Sequence, residues 1–215
     1  MKPLLITDCD EVLLHMVRHF GTWLDEAHDI ELSLALGGFE NAMRRRADDS
    51  IVEAPRMWEL LDGFFPDEMA RQTLVPHARG ALAAIAERAD IVVLTNLRDH
   101  CRPHRIAQLD EHDIAYRVEC NQGPKGPAVA RLVAEFGNPV TVFVDDLPQH
   151  HESVARTVPQ VHRLHMVSEP DMAPHIAPAP HAHARIDDWK EAQGWIEARF
   201  AQGLTAAASG GSASA

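Results

Sequence analysis

Three apolar, β-branched-rich runs are bounded by polar residues: PLLIT (3–7), DIVVLT (90–95) and VTVFV (140–144). Their apolar character is continuous rather than alternating, the pattern of strands covered on both faces in a parallel sheet. VHRLHMV (161–167) alternates more and predicts a strand nearer an edge, and AYRVE (115–119) predicts a short fifth strand. Helical patterns lie between them: HARGALAAIAERA (77–89), RPHRIAQLDEH (102–112), PKGPAVARLVAEFG (124–137) and DDWKEAQGWIEARF (187–200). Prolines fall early in the second and third of these, where a first helical turn tolerates them. Strands alternating with helices predict an α/β, Rossmann-like three-layer sandwich with a mostly parallel sheet.

The segment 16–76 breaks this rhythm. MVRHFGTWLDEAHD, ENAMRRRADD and APRMWELLDGFF all read as helix, with no strand between them. The expected organisation is a core of residues 1–15 and 77–204, a small α-helical cap at 16–76 inserted after the first strand, and a disordered tail at 205–215. A cap in that place sits above the carboxyl end of the first strand, where ligands bind in open α/β sheets.

The carboxyl ends of the strands carry the candidate chemistry. Strand one runs into Asp8 and Asp10, strand two into Thr95 and Asn96, and strand three into Asp145 and Asp146; Lys125 opens the helix before strand three. Like charges as close as Asp8, Asp10 and Glu11 repel one another, and a divalent cation makes such crowding tolerable. Two or three carboxylates form an oxygen-rich nest suited to Mg²⁺. Lys125 and the Thr95 hydroxyl can hold phosphoryl oxygens. One aspartate can attack phosphorus while the other moves the proton.

Charge and cysteine content narrow the class. Twenty basic against 32 acidic residues give a formal charge of -12, which argues against a nucleic-acid polymer or a membrane as partner. Cys9, Cys101 and Cys120 are isolated, so neither a disulfide framework nor a zinc motif is expected and a reducing cytoplasm is.

LLITDCDEVLL followed by IVVLT, Lys125 and VFVDD resembles, in order, the four motifs of the haloacid dehalogenase superfamily, in its phosphatase-like branch with a small helical cap. The resemblance covers nearly the whole chain. It implies a cytoplasmic, Mg²⁺-dependent phosphoric monoester hydrolase acting on a small phosphorylated metabolite, a nucleotide or a sugar phosphate. Asp8 would be the nucleophile and Asp10 the acid/base. Thr95, Asn96 and Lys125 would bind phosphate. Asp8, the main-chain carbonyl of Asp10, and Asp146 would bind the metal, with Asp145 supporting. Members that cleave carbon–halogen bonds generally lack the second aspartate, so Asp10 favours phosphoryl transfer over dehalogenation.

Glu11 falls where these enzymes commonly carry glycine, so its side chain must fit a tight turn and its charge could meet a phosphorylated ligand. A non-catalytic, ligand-binding relative is the alternative that this raises. Arg98 is a second candidate substrate contact. Carbon–phosphorus cleavage through a cap lysine is closed, because 16–76 contains no lysine. Arg44, Arg45 and Arg46 read as a solvated face balanced by Asp48 and Asp49. Trp58, Phe64 and Phe65 read as helix packing, and the histidines of 150–183 as an exposed His/Pro/Ala stretch.

Overall fold

The frame of the molecule is a six-stranded sheet in which every pairing is parallel. It was obtained as a computed structural model that describes residues 1–33 and 42–210, with the side chains of the last helix described through residue 203. The chain starts with Leu4–Thr7 (β1), followed by Leu14–His15 (β2), Val17–His28 (α1), Ile30–Leu32 (β3), Met43–Arg45 (β4), Ala54–Glu68 (α2) and Thr73–Leu74 (β5). It continues through Ala78–Ala86 (α3), Asp90–Thr95 (β6), Arg102–Glu111 (α4), Arg117–Cys120 (β7), Gly126–Glu135 (α5) and Thr141–Asp145 (β8). Pro148–Thr157 (α6), His162–His165 (β9), Ala184–Arg185 (β10) and Trp189–Gly210 (α7) complete it. The strand order is β10-β9-β8-β1-β6-β7, so β1 lies between β6 and β8 and the three apolar runs are neighbours.

Alternation of side chains along each strand divides the core into two layers. Leu5, Val93, Val142 and Val144 pack with Leu82 and Ile85 of α3 and with Trp189, Ile196 and Phe200 of α7. Leu4, Ile6, Val92, Leu94 and Phe143 face the other way, onto Val129 and Leu132 of α5 and Val154 of α6. Both faces of β1 are therefore covered, which explains its unbroken apolar run.

A third apolar cluster lies in the segment after β1: Val17, Phe20 and Leu24 of α1, Ile30, Met43, and Met57, Leu60 and Phe64 of α2. This segment corrects the all-helical expectation for 16–76. β3 and β4 pair antiparallel, and β5 pairs antiparallel with β2. RRR of residues 44–46 belongs to this hairpin region rather than to a helix, because Ile30 and Met43 point into the cluster while Arg46 reaches out to Asp25 and Glu31. Alternation over two or three residues is too short to announce a strand in a sequence. Glu40 and Asn41, the start of that expected helix, lie outside the described residues. The expected tail also needs correction: the α7 backbone stays helical through Gly210, and 211–215 lie outside the described residues. Among the described residues no helix is long and apolar enough to cross a membrane.

Candidate active site

Parallel pairing puts the strand ends side by side, and the charged groups follow. β1 is registered with β8 from Leu4 opposite Thr141 to Thr7 opposite Val144, so Asp8 emerges beside Asp145. Lys125, at the start of α5, is fully buried and directs its Nζ to Asp8 Oδ1 at 2.8 Å and to Asp145 Oδ2 at 2.7 Å. Carboxylate oxygens of Asp8, Asp145 and Asp146 lie within 4.8 Å of one another. Gly126 makes this placement possible. A Cβ there would stand 2.4 Å from the Ser153 carbonyl oxygen, so only glycine lets α5 approach α6 this closely with Lys125 at its tip. The Gly126 N–H donates to Ser153 Oγ at 3.0 Å.

Burial governs the protonation of the cluster. It pushes the Asp8 carboxyl up to about 7 against the pull of Lys125, with Asp145 and Asp10 adding to the rise. Burial likewise raises Asp146 well above the carboxylate range, helped by the charges of Asp145 and Asp8. At Asp145 burial is outweighed by the Lys125 ammonium and the nearby imidazoles of His150 and His151, so its carboxyl is held below the ordinary value. Lys125 also overcomes its burial, because two carboxylates face it, and keeps its proton.

The donor set fits magnesium. It is all oxygen, and among the described residues the Asp146 carboxylate has no hydrogen-bond partner, although its main-chain carbonyl accepts from His165 Nε2 at 2.8 Å. Asp8 is partly engaged, its Oδ1 accepting the Cys9 N–H at 2.7 Å. Asp145 is fully engaged: Oδ2 takes Lys125 and Oδ1 the Leu147 N–H at 2.9 Å.

Asp10 lies outside the carboxylate cluster. Its two oxygens accept from Arg105 Nη2 at 2.8 and 3.0 Å, and Oδ1 also accepts Gln72 Nε2 at 2.6 Å. Thr95 Oγ1 stands 3.5 Å from Asp10 Oδ2, so an expected phosphate binder and the expected acid/base meet here. Arg105 comes from α4, is fully buried, and also donates to Gln72 Oε1, Gln108 Oε1 and Cys9 Sγ. The sequence reading missed this arginine: a single basic residue in an amphipathic helix gives no sign that it points inward. Asn96 reaches the same edge but spends its amide on Gly123 O, His150 Nε2 and Asn121.

Glu11 is corrected as a substrate contact. It does occupy a left-handed backbone position, φ 58°, as a glycine substitute would. Its side chain is 1% exposed and turns away to accept the N–H groups of Met16 and Val17 at 2.7 and 2.6 Å. The carboxylate thus caps the start of α1. Arg98 pairs with Asp62 of α2 and, with Trp58, Leu61 and Phe65, lines a cavity of about 110 Å³ next to Asn96. Phe64 is core, as expected, and Arg44, Arg45 and Arg46 are bonded to Asp49, Ser50 and Asp25.

The fold and this edge define the class: a doubly covered parallel sheet with a lysine-bridged carboxylate cluster at its carboxyl end. No protein-family model and no curated protein matches the sequence. Among solved structures, the chain is similar to a haloacid dehalogenase-like family hydrolase from Xanthomonas campestris (18% identity, 95% of this chain and 98% of that one, TM-score 0.58). It is also similar to a magnesium-bound HAD-type protein from Bacillus subtilis (13%, 91% and 98%, TM-score 0.62). A third is a defluorinating L-2-haloacid dehalogenase (11%, 91% and 95%, TM-score 0.60). At these identities the likeness is one of fold, and the chain has the haloacid dehalogenase-like hydrolase fold.

Proposed function

We propose that the chain is a cytoplasmic, Mg²⁺-dependent hydrolase of small phosphomonoesters, such as nucleotides or sugar phosphates, working through an aspartyl-phosphate. The observation that carries this reading is Lys125 bonded at once to Asp8 and Asp145, with Asp146 in the same cluster. Magnesium held by Asp8, Asp146 and the Asp10 carbonyl would lessen repulsion between the attacking carboxylate and the phosphate. Lys125, Thr95 and Asn96 hold phosphoryl oxygens. Asp8 attacks phosphorus and the bond to the leaving oxygen breaks as Asp10 gives that oxygen a proton. Asp10 then takes a proton from the water that cleaves the aspartyl-phosphate, which frees phosphate and restores Asp8. The magnesium-bound protein of the same fold supports the choice of metal, and three free cysteines support a reducing compartment. The segment that follows β1 would close over this edge.

The test is phosphate release from an aryl phosphate with and without Mg²⁺. Release should depend on the metal and vanish in Asp8→Asn. A folded, Mg²⁺-binding protein that turns over no member of a broad phosphomonoester panel would overturn the reading.

One observation favours a second reading. Arg105 holds both oxygens of Asp10, which commits them to the ion pair rather than to a leaving group. A halide leaving group needs no proton, and one protein of similar fold is a dehalogenase. Halide release from a 2-haloacid, without phosphate release from any ester, separates the two.

A further inference from the structure

We propose that Glu11, His15 and Glu169 form a second divalent-cation site, of the Zn²⁺ type, which ties the root of the segment after β1 to the loop beyond β9. The three side chains are 1%, 4% and 0% exposed, and one donor atom from each lies within 4.8 Å of the other two. His15 Nδ1 stands 3.7 Å from Glu169 Oε2. Ligand atoms around a tetrahedral zinc, at about 2.0–2.2 Å from the metal, stand roughly 3.5 Å apart.

Two buried atoms of this cluster have no hydrogen-bond partner: Glu11 Oε2 and His15 Nδ1. A buried polar atom is costly to leave unsatisfied, about 1–3 kcal/mol, and here two such atoms belong to one three-residue cluster. Each acid is already aimed by its other contacts. Glu11 Oε1 is fixed by the N–H groups of Met16 and Val17, and Glu169 accepts Arg18 Nε at 2.6 Å and Nη2 at 2.9 Å. Such supporting hydrogen bonds orient carboxylate ligands in metal sites.

The chemistry selects the ion. Burial lowers the His15 pKa, which leaves a neutral imidazole with a lone pair to give. One imidazole and two carboxylates suit zinc, whereas magnesium prefers oxygen ligands and retained water. None of the three groups belongs to the Asp8, Asp145 and Asp146 cluster, so the site is independent of the phosphatase reading.

The experiment uses the untagged full chain, stripped by chelator and equilibrated with Zn²⁺ in excess Mg²⁺, which keeps the aspartate cluster filled. Elemental analysis should find about one zinc per chain, and melting should shift upward. Glu169→Gln and His15→Gln should each weaken zinc binding at least tenfold, while Asp146→Asn should keep it. Should those two variants not fold, anomalous diffraction at the zinc edge from wild-type crystals decides, with the peak expected between Glu11, His15 and Glu169. Absence of bound zinc in wild type, or zinc lost in Asp146→Asn and kept in His15→Gln, overturns the proposal.

Discussion

Arg105 Nη2 lies 2.8 and 3.0 Å from the two carboxylate oxygens of Asp10, with the guanidinium fully buried and the carboxylate at the mouth of the site. The pair joins α4 to the turn after β1. Removing one partner of a buried ion pair strands the other, at roughly 3–5 kcal/mol. Arg105→Gln is therefore expected to lower unfolding free energy by about that amount in denaturant titration. Asp10→Asn should cost at least as much, because it leaves the fully buried guanidinium with neutral acceptors only, whereas Arg105→Gln leaves a carboxylate at the mouth of the site. A clearly smaller loss in Asp10→Asn would contradict the arrangement.

The carboxylate cluster makes stability depend on pH in a definite direction. Asp8 rises from an ordinary 3.8 to about 7 on folding, and Asp146 rises in the same sense. The folded chain then binds more protons than the unfolded one, so the Asp8 carboxyl stabilises it fully below about 4 and loses that contribution as pH climbs through about 7, with Asp146 acting in the same direction. Mg²⁺ competes with those protons. The melting temperature gained on adding Mg²⁺ should grow with pH through about 7 and shrink in Asp8→Asn. A gain independent of pH would refute the link between metal and carboxylates.

Glu11 invites a comparison of two substitutions. Loss of its bonds to Met16 and Val17 N–H should cost about 0.5–2 kcal/mol, the range of helix caps. Glycine at the same place relieves the left-handed backbone, worth roughly 1–2 kcal/mol. Glu11→Ala loses the cap and keeps the strain, so it should be the less stable of the two by chemical denaturation. The order would reverse if φ at this residue were not positive in solution.

Gly126 should tolerate no side chain. Alanine would press its Cβ toward Ser153 O and Thr157 Oγ1, at 2.4 and 2.5 Å, and force α5 away from α6. Overpacking of this kind costs about 1–3 kcal/mol. Because Lys125 precedes it, phosphate release in Gly126→Ala should fall further than in a surface control such as Gly80→Ala, where a Cβ meets nothing within 4 Å. Full turnover in Gly126→Ala would detach the lysine from this packing.

Much of the frame was legible from local chemistry. β1, β6 and β8 follow from unbroken apolar runs, since a strand covered on both faces needs apolar residues at every position. The acids directly after those runs could be placed at one sheet edge once the strands were taken as parallel neighbours. The short strands were not legible: β3 and β4 hold three residues each, fewer than a period-two pattern needs. Nor was Arg105, whose inward direction depends on Asp10 and Gln72 arriving from distant segments.

The amino-acid order alone determined the layered α/β frame and the residues brought to its carboxyl edge, because periodicity and strand-end chemistry are properties of neighbours along the chain. Tertiary structure alone decided that Lys125 bridges Asp8 and Asp145, that Arg105 claims Asp10, and that Glu11 turns to cap α1 instead of facing a substrate. Those choices are made by burial: a charge withdrawn from water must find its partner among whatever groups the fold brings near, and sequence distance does not measure that nearness.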